Sequence, residues 1–150
     1  LVTGVQTCAL PIFKFGEKVY SPVIEKGQAD IIVSFEALEA ARWVSFLKKG
    51  GKLVMNTQEI EPMPVITGAA QYPANIVDTL KSLGEDVIAV DALSLAEQAG
   101  TSRAVNVVLM GVISHILDFG DKVWNDALEQ CVPAKVLEVN KKAFGLGRNA

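Results

Sequence analysis

Three short apolar runs, each closed by a polar residue, constrain the fold of this 150-residue chain more than any other feature. They are DIIVSF from Asp30, KLVM from Lys52 and DVIAV from Asp86; Glu36, Asn56-Thr57-Gln58 and Asp91 follow them. Such brief β-branched runs read as buried strands, and the stretches between them have the period of a helix. In EALEAARWVSFLKKGG, residues Ala37, Ala40, Ala41, Val44 and Leu47 share one arc with Trp43 at its edge. Glu39, Arg42, Ser45 and Lys49 fall opposite. Lys48 and Lys49 then suit the negative end of the helix dipole, with Gly50 as the cap. NIVDTLKSLG and ALSLAEQAG continue the alternation on either side of DVIAV. Strands alternating with helices predict an open, mostly parallel, Rossmann-like α/β sheet with flanking helices. Ahead of these elements, FKFGEKVYSP predicts a small hairpin turning at Gly16-Glu17.

In open parallel sheets, ligands bind beyond the carboxyl ends of the strands, where these polar residues sit. Asp91 before ALSLAEQAG reads as an N-cap, and Glu36 as a first-turn acid favoured by the helix dipole. Glu36 and Glu39 could pair as catalytic carboxylates, although Glu39 and Arg42 also have the spacing of an ordinary helix ion pair. Asn56-Thr57-Gln58 opens a long connection, EIEPMPVITGAAQYP, of the kind that often carries function. Site and scaffold both remain open for these three residues.

Further on, Arg103 to Asp118 predicts a helix apolar on nearly every side, buried within the domain or at an interface. Thr101-Ser102 can cap it, and Gly111 would let another backbone approach closely. Within it, Asn106 is a buried amide that needs either a neighbouring loop or a ligand. His115, the only histidine, reads as a structural residue, and Cys131 beside Val132-Pro133 as a packing residue. The final PAKVLEVNKKAFGLGRNA predicts a closing helix with Pro133 at its start.

Composition narrows function mainly by exclusion. A net charge of -3 with both signs interspersed lacks the basic stripe of a nucleic-acid surface. No apolar run approaches the roughly 20 residues of a membrane span. One histidine and two cysteines supply neither a four-ligand zinc site nor the four thiolates of an iron–sulfur cluster. A GxGxxG turn, a phosphate loop and a serine nucleophile elbow are all missing. Such a chain suits a cytoplasmic subunit better than an autonomous enzyme.

Several stretches carry a specific resemblance: FGEKVYSPVI, ADIIVSFEALEAARWVSFLKKGGKLVMNTQEIEPMPVITGAAQYP, VIAVDA, SRAVNVVLMG and VPAKVLEVNKKAFGLG. From Phe13 onward the chain resembles the gamma-type domain of the 2-oxoacid:ferredoxin oxidoreductases, most closely in the branch acting on indolepyruvate. The resemblance implies oxidative decarboxylation of an aryl 2-oxoacid to an acyl coenzyme A, with electrons passed to ferredoxin. It implies thiamine diphosphate, Mg and [4Fe-4S] clusters on a partner alpha subunit, none bound by this chain alone, and coenzyme A as co-substrate. The GDG-type diphosphate signature is absent here, FGDKVW at 119–124 having only its first two letters. Glu36, Arg42, Asn56, Thr57 and Asn106 match positions of the family pattern, as candidates for a substrate or coenzyme A cleft without individual roles. A stand-alone nucleotide- or coenzyme A-binding module and a purely structural partner subunit are the competing expectations.

The opening departs from that pattern. Family members begin with a strand, a glycine-rich turn and a helix, and LVTGVQTCALPI stands in their place. Its first twelve residues carry no charge, and Val2 to Ile12 back-translates without a break into a sequence resembling a short-read sequencing adapter. Residues 1–12 are therefore expected to be a non-native artefact making few core contacts, and residues 13–150 a single truncated domain. Loss of the first strand would expose a sheet edge, which favours aggregation.

Overall fold

A computed structural model describes residues 12–150. The expectation for the opening segment falls almost wholly outside these residues; of that segment only Ile12 is described, and it is exposed. Three strands form one parallel sheet in the order β1 (Ala29–Ser34), β2 (Leu47–Asn56), β3 (Asp86–Val90). The helices are α1 (Ala37–Trp43), α2 (Met63–Ile66), α3 (Ile76–Ser82), α4 (Ala92–Ala99), α5 (Val105–Ile113), α6 (Asp121–Cys131) and α7 (Leu137–Arg148).

The period of two along the strands divides the core into two layers. Leu53 and Met55 of β2 join Ile32, Ala37, Ala40, Ile76 and Leu80, so α1 and α3 cover one face. Val54 and Val90 join the other cluster, built from α4, α5, α6 and α7. Helices on both faces of an all-parallel sheet are the architecture expected from the alternation.

The second layer holds the tightest packing. A Cβ on Gly111 would lie 2.2 Å from the Phe144 carbonyl, and one on Gly147 would lie 1.9 Å from the Val108 carbonyl. The backbones of α5 and α7 therefore touch at two glycines, one on each helix. The close approach expected at Gly111 is found there, and its counterpart Gly147 lay unremarked in the final helix. Nearby, Trp124 stands between Phe119 and Phe144 with ring centroids 5.7 Å from each.

Several local expectations are corrected. FKFGEKVYSP forms no strand; Phe13, Phe15, Val19 and Tyr20 are exposed, and only a bend occurs at Gly16-Glu17. A two-stranded hairpin without a face to pack on is marginal, which explains the difference. The helix after Glu36 stops at Trp43, passes through one 3-10 turn over Val44–Phe46, and gives way to β2 at Leu47. Lys48, Lys49 and Gly50 are thus strand residues, not a helix end. Between the paired positions Ala29↔Leu47 and Ile31↔Lys52, β1 advances two residues and β2 five, so the lysine–glycine segment bulges out of the ladder. Gly50 supplies the φ of +78° that this excursion requires. The predicted Arg103–Asp118 helix is shorter, a 3-10 turn leading into α5, which ends at Ile113. The helix α6 has no counterpart among the expectations.

Candidate functional site

At the carboxyl end of the sheet, the chain leaves β1 through Ser34, whose Oγ donates to the Glu36 carbonyl at 2.7 Å. This turn drives the Glu36 side chain inward, leaving it 7% exposed. One carboxylate oxygen accepts from the Glu39 amide at 2.8 Å and so caps α1. The other accepts from the Ile60 amide at 3.2 Å and from the Tyr72 hydroxyl. Burial alone would push this carboxyl up. Hydrogen bonds from Tyr72 and from the Leu38, Glu39 and Ile60 amides more than offset that, so it lies below its ordinary value. Tyr72 is raised well above the usual phenol value, by its own burial first and then by its bond to the Glu36 carboxylate. Glu36 is therefore the N-cap of α1 and not a first-turn acid, and it also ties the β2–α3 connection at Ile60 and Tyr72. An anion held this firmly is a clamp and has little capacity as a proton acceptor near neutral pH.

Asn56, the last residue of β2, is fully buried. Its Nδ2 donates to the Phe35 carbonyl at 3.2 Å and to Gln58 Oε1 at 3.3 Å, and its Oδ1 accepts from the Ala92 amide at 3.0 Å. One side chain thus fastens the ends of all three strands. The Thr57 amide adds a bond to the Val90 carbonyl at 3.0 Å, and the Ala37 amide one to the Gln58 carbonyl at 3.1 Å. Asp91 caps α4 as expected, accepting from the Ser94 amide at 3.0 Å, and hydrogen bonds from the Ser94 amide and hydroxyl hold its carboxyl below the ordinary value.

With these bonds formed, Glu36 and Asn56 face inward, whereas Asp91 is exposed. Phe35, Thr57, Ile60, Met63 and Ile66 remain on the outside of the rim, all exposed. Among the described residues the Thr57 hydroxyl has no hydrogen-bond partner, and neither do the exposed Glu59 and Glu61 side chains on the same connection.

The five candidates separate accordingly. Glu36, Asn56 and Thr57 meet at the strand ends. Arg42 is exposed on the last turn of α1 and pairs with Glu39 at 2.9 Å, the routine helix contact. Asn106 is exposed on the first turn of α5, which corrects the expectation of a buried amide. The length of α4, about 12 Å for eight residues, separates it from the rim. Cys131 is exposed as well, since it ends α6 outside the core, so it is not a packing residue. His115 is structural, its Nε2 meeting the Arg148 carbonyl. Sequence reasoning missed Tyr72; the only signal was a single phenol in an otherwise aromatic-free connection. Among the described residues no three His, Cys, Asp or Glu side chains converge as metal ligands. No helix among them is long and apolar enough to cross a membrane.

The family model described as pyruvate ferredoxin/flavodoxin oxidoreductase matches residues 3–150, and so includes most of the opening segment. The chain is 38% identical over 144 residues to an indolepyruvate oxidoreductase subunit IorB of Thermococcus kodakarensis, covering 91% of this chain and 70% of that protein. It is 34% identical over 135 residues to the IorB subunit of Archaeoglobus fulgidus, covering 87% and 67%. In three dimensions it is similar to the gamma subunit of a keto/oxoacid ferredoxin oxidoreductase from Geobacter sulfurreducens. The TM-score is 0.60 at 20% identity, over 85% of this chain and 66% of that one. With a parallel sheet flanked by helices and a family match over nearly its whole length, the chain belongs to the pyruvate ferredoxin/flavodoxin oxidoreductase family.

Proposed function

We propose that this chain is the cluster-free subunit of a cytoplasmic 2-oxoacid:ferredoxin oxidoreductase that converts an arylpyruvate such as indolepyruvate to an acyl coenzyme A. The rim carries the reading. Its buried polar groups are consumed by Glu36 and Asn56 in holding the strand ends, while Phe35, Thr57, Ile60 and Met63 are turned outward. Such a ledge suits covering a cleft on a partner subunit, and leaves this chain without an acid–base pair of its own. The alpha subunit would hold thiamine diphosphate with Mg, which would supply the decarboxylation chemistry, and [4Fe-4S] clusters, which would supply electron transfer to ferredoxin. The donor set here does not fit a cluster, for Cys131 is the one cysteine among the described residues.

The role of this chain is then to orient and enclose. Thr57 offers a hydroxyl at the cleft edge, and Glu36 with Tyr72 keeps the 59–72 connection against the strand ends. The test is Thr57→Val in the complex assembled with its partner. A several-fold rise in the coenzyme A KM at unchanged melting is expected. The buried Asn56→Ala should alter the same constant together with stability. If coenzyme A KM and turnover stay unchanged in both variants, the rim is interface scaffold and the structural-subunit reading replaces this one.

A further inference from the structure

A cleft of about 420 Å³ opens between the start of α5 and the segment joining α6 to α7. Its polar wall comprises Thr101, Arg103, Asn106, Cys131, Lys135 and Asn140. No acidic residue lines it, although acids outnumber bases 17 to 14 in the chain.

Of the twelve other cations, Arg42, Lys48, Lys52, Lys122, Lys141 and Arg148 each meet a carboxylate, while Lys14, Lys18, Lys26, Lys49, Lys81 and Lys142 do not among the described residues. Neither Arg103 nor Lys135 meets one among the described residues, and the remaining stretch, Leu1 to Pro11, contains no acidic side chain to neutralise them. The two exposed cations therefore share one cleft without a counter-charge. Hydrogen-bonding capacity is open there too. The Asn140 amide donates to the Val136 carbonyl at 2.8 Å, whereas the Asn106 amide has no partner among the described residues. Ala104, Val107 and Val132 supply an apolar part of the same wall.

From this arrangement we infer that the cleft binds an organic phosphate monoester. A phosphate monoester carries about -1.5 to -2 charge near neutral pH, which matches two cations, whereas a single carboxylate would leave one uncompensated. The guanidinium fork of Arg103 suits phosphate oxygens, and Lys135 adds a point charge. The volume lies in the range of small-molecule sites, about 300–1,000 Å³, and exceeds the needs of a lone phosphate ion. The remaining space and the apolar wall suit the organic part. This site lies an α4 length from the strand-end rim and does not depend on the function proposed for it.

Cys131, exposed on the same cleft, provides a site-resolved readout. In the chain assembled with its partner, alkylation of the Cys131 peptide by iodoacetamide is followed by mass spectrometry. The arms are millimolar adenosine 5′-monophosphate, millimolar orthophosphate, and chloride at equal ionic strength. Adenosine monophosphate is expected to slow alkylation several-fold relative to chloride, and orthophosphate to do so less. The double variant Arg103→Gln, Lys135→Gln should lose this protection, and Arg103→Lys should keep most of it. Both positions are exposed, so the variants should melt like the parent; if the double variant fails to fold, Arg103→Lys and Arg103→Gln singly carry the comparison. Protection by orthophosphate alone would overturn the organic ligand in favour of a free-phosphate site. Equal rates in all arms, protection that survives loss of both cations, or a Cys131 that is unreactive in the assembly would overturn the site itself.

Discussion

The strand-end rim and the α5–α7 contact are both closed without spare room, yet by opposite chemistry. At the rim, a buried carboxylate and a buried amide use their hydrogen-bonding capacity on backbone groups, one tyrosine and the Gln58 side chain. Between α5 and α7, two glycines let carbonyl-bearing backbones touch, and no polar side chain takes part. Polar closure depends on every partner being present, because an unpaired buried group is costly. Steric closure depends on something being absent, namely a side chain. The first kind can respond to pH; the second cannot.

The sharpest test of the steric side is to add a methyl group. Gly147→Ala and Gly111→Ala should each destabilise at or beyond the upper end of the about 1–3 kcal/mol usual for overpacking, read from denaturant melts. Gly145, also on α7, has no atom within 4 Å of its would-be Cβ. Gly145→Ala should therefore be neutral or gain up to about 1 kcal/mol from helix propensity. If all three alanines behaved alike, the backbone contact would not matter.

On the polar side, Asn56→Ala removes the partner of the buried Ala92 amide and of the Phe35 carbonyl. A loss of about 1–3 kcal/mol per stranded group is expected, while Thr57→Val beside it should stay within about 0.5 kcal/mol. A smaller loss, about 1.5 kcal/mol, is expected for Tyr72→Phe, the low end for a hydrogen bond to a charged group. That variant also tests pH dependence. The folded carboxyl of Glu36 lies below its unfolded value. Its contribution is therefore present above the unfolded pKa and is lost as pH falls through the folded one. Removing the Tyr72 bond should raise the folded value, so the acid-dependent loss becomes smaller and is complete at a higher pH; Glu36→Gln should flatten that acid limb. An acid limb unchanged by either substitution would remove Glu36 from the pH response. The smallest effect belongs to Arg42→Ala, whose exposed pair with Glu39 should contribute no more than about 0.5 kcal/mol.

Legibility in the sequence followed the range of the interaction. DIIVSF, KLVM and DVIAV announce themselves because strand periodicity is written in consecutive residues, and the Asp91 cap because its partner Ser94 is three residues away. LKKGG misleads for the same reason. Its lysines and glycines imitate a helix end, but pairing of Leu47 with Ala29 and of Lys52 with Ile31 holds the segment in the sheet. FKFGEKVYSP shows the converse, strand-like alternation with no surface to bury it. Asn106 and Cys131 were judged by their apolar neighbours, and each falls on the outward side of its own helix.

What the sequence determined by itself is the alternation of strands and helices, a cap and one of the two contact glycines, since each depends on local period or residue type. Tertiary structure alone decided which groups meet. Glu36 finds Tyr72 and Asn56 finds Ala92, each 36 residues away, and Arg103 shares a cleft with Lys135 across two helices. A hydrophobic period specifies which face of an element is buried, but it carries no record of the partner, which depends on how the packed elements bring distant residues together.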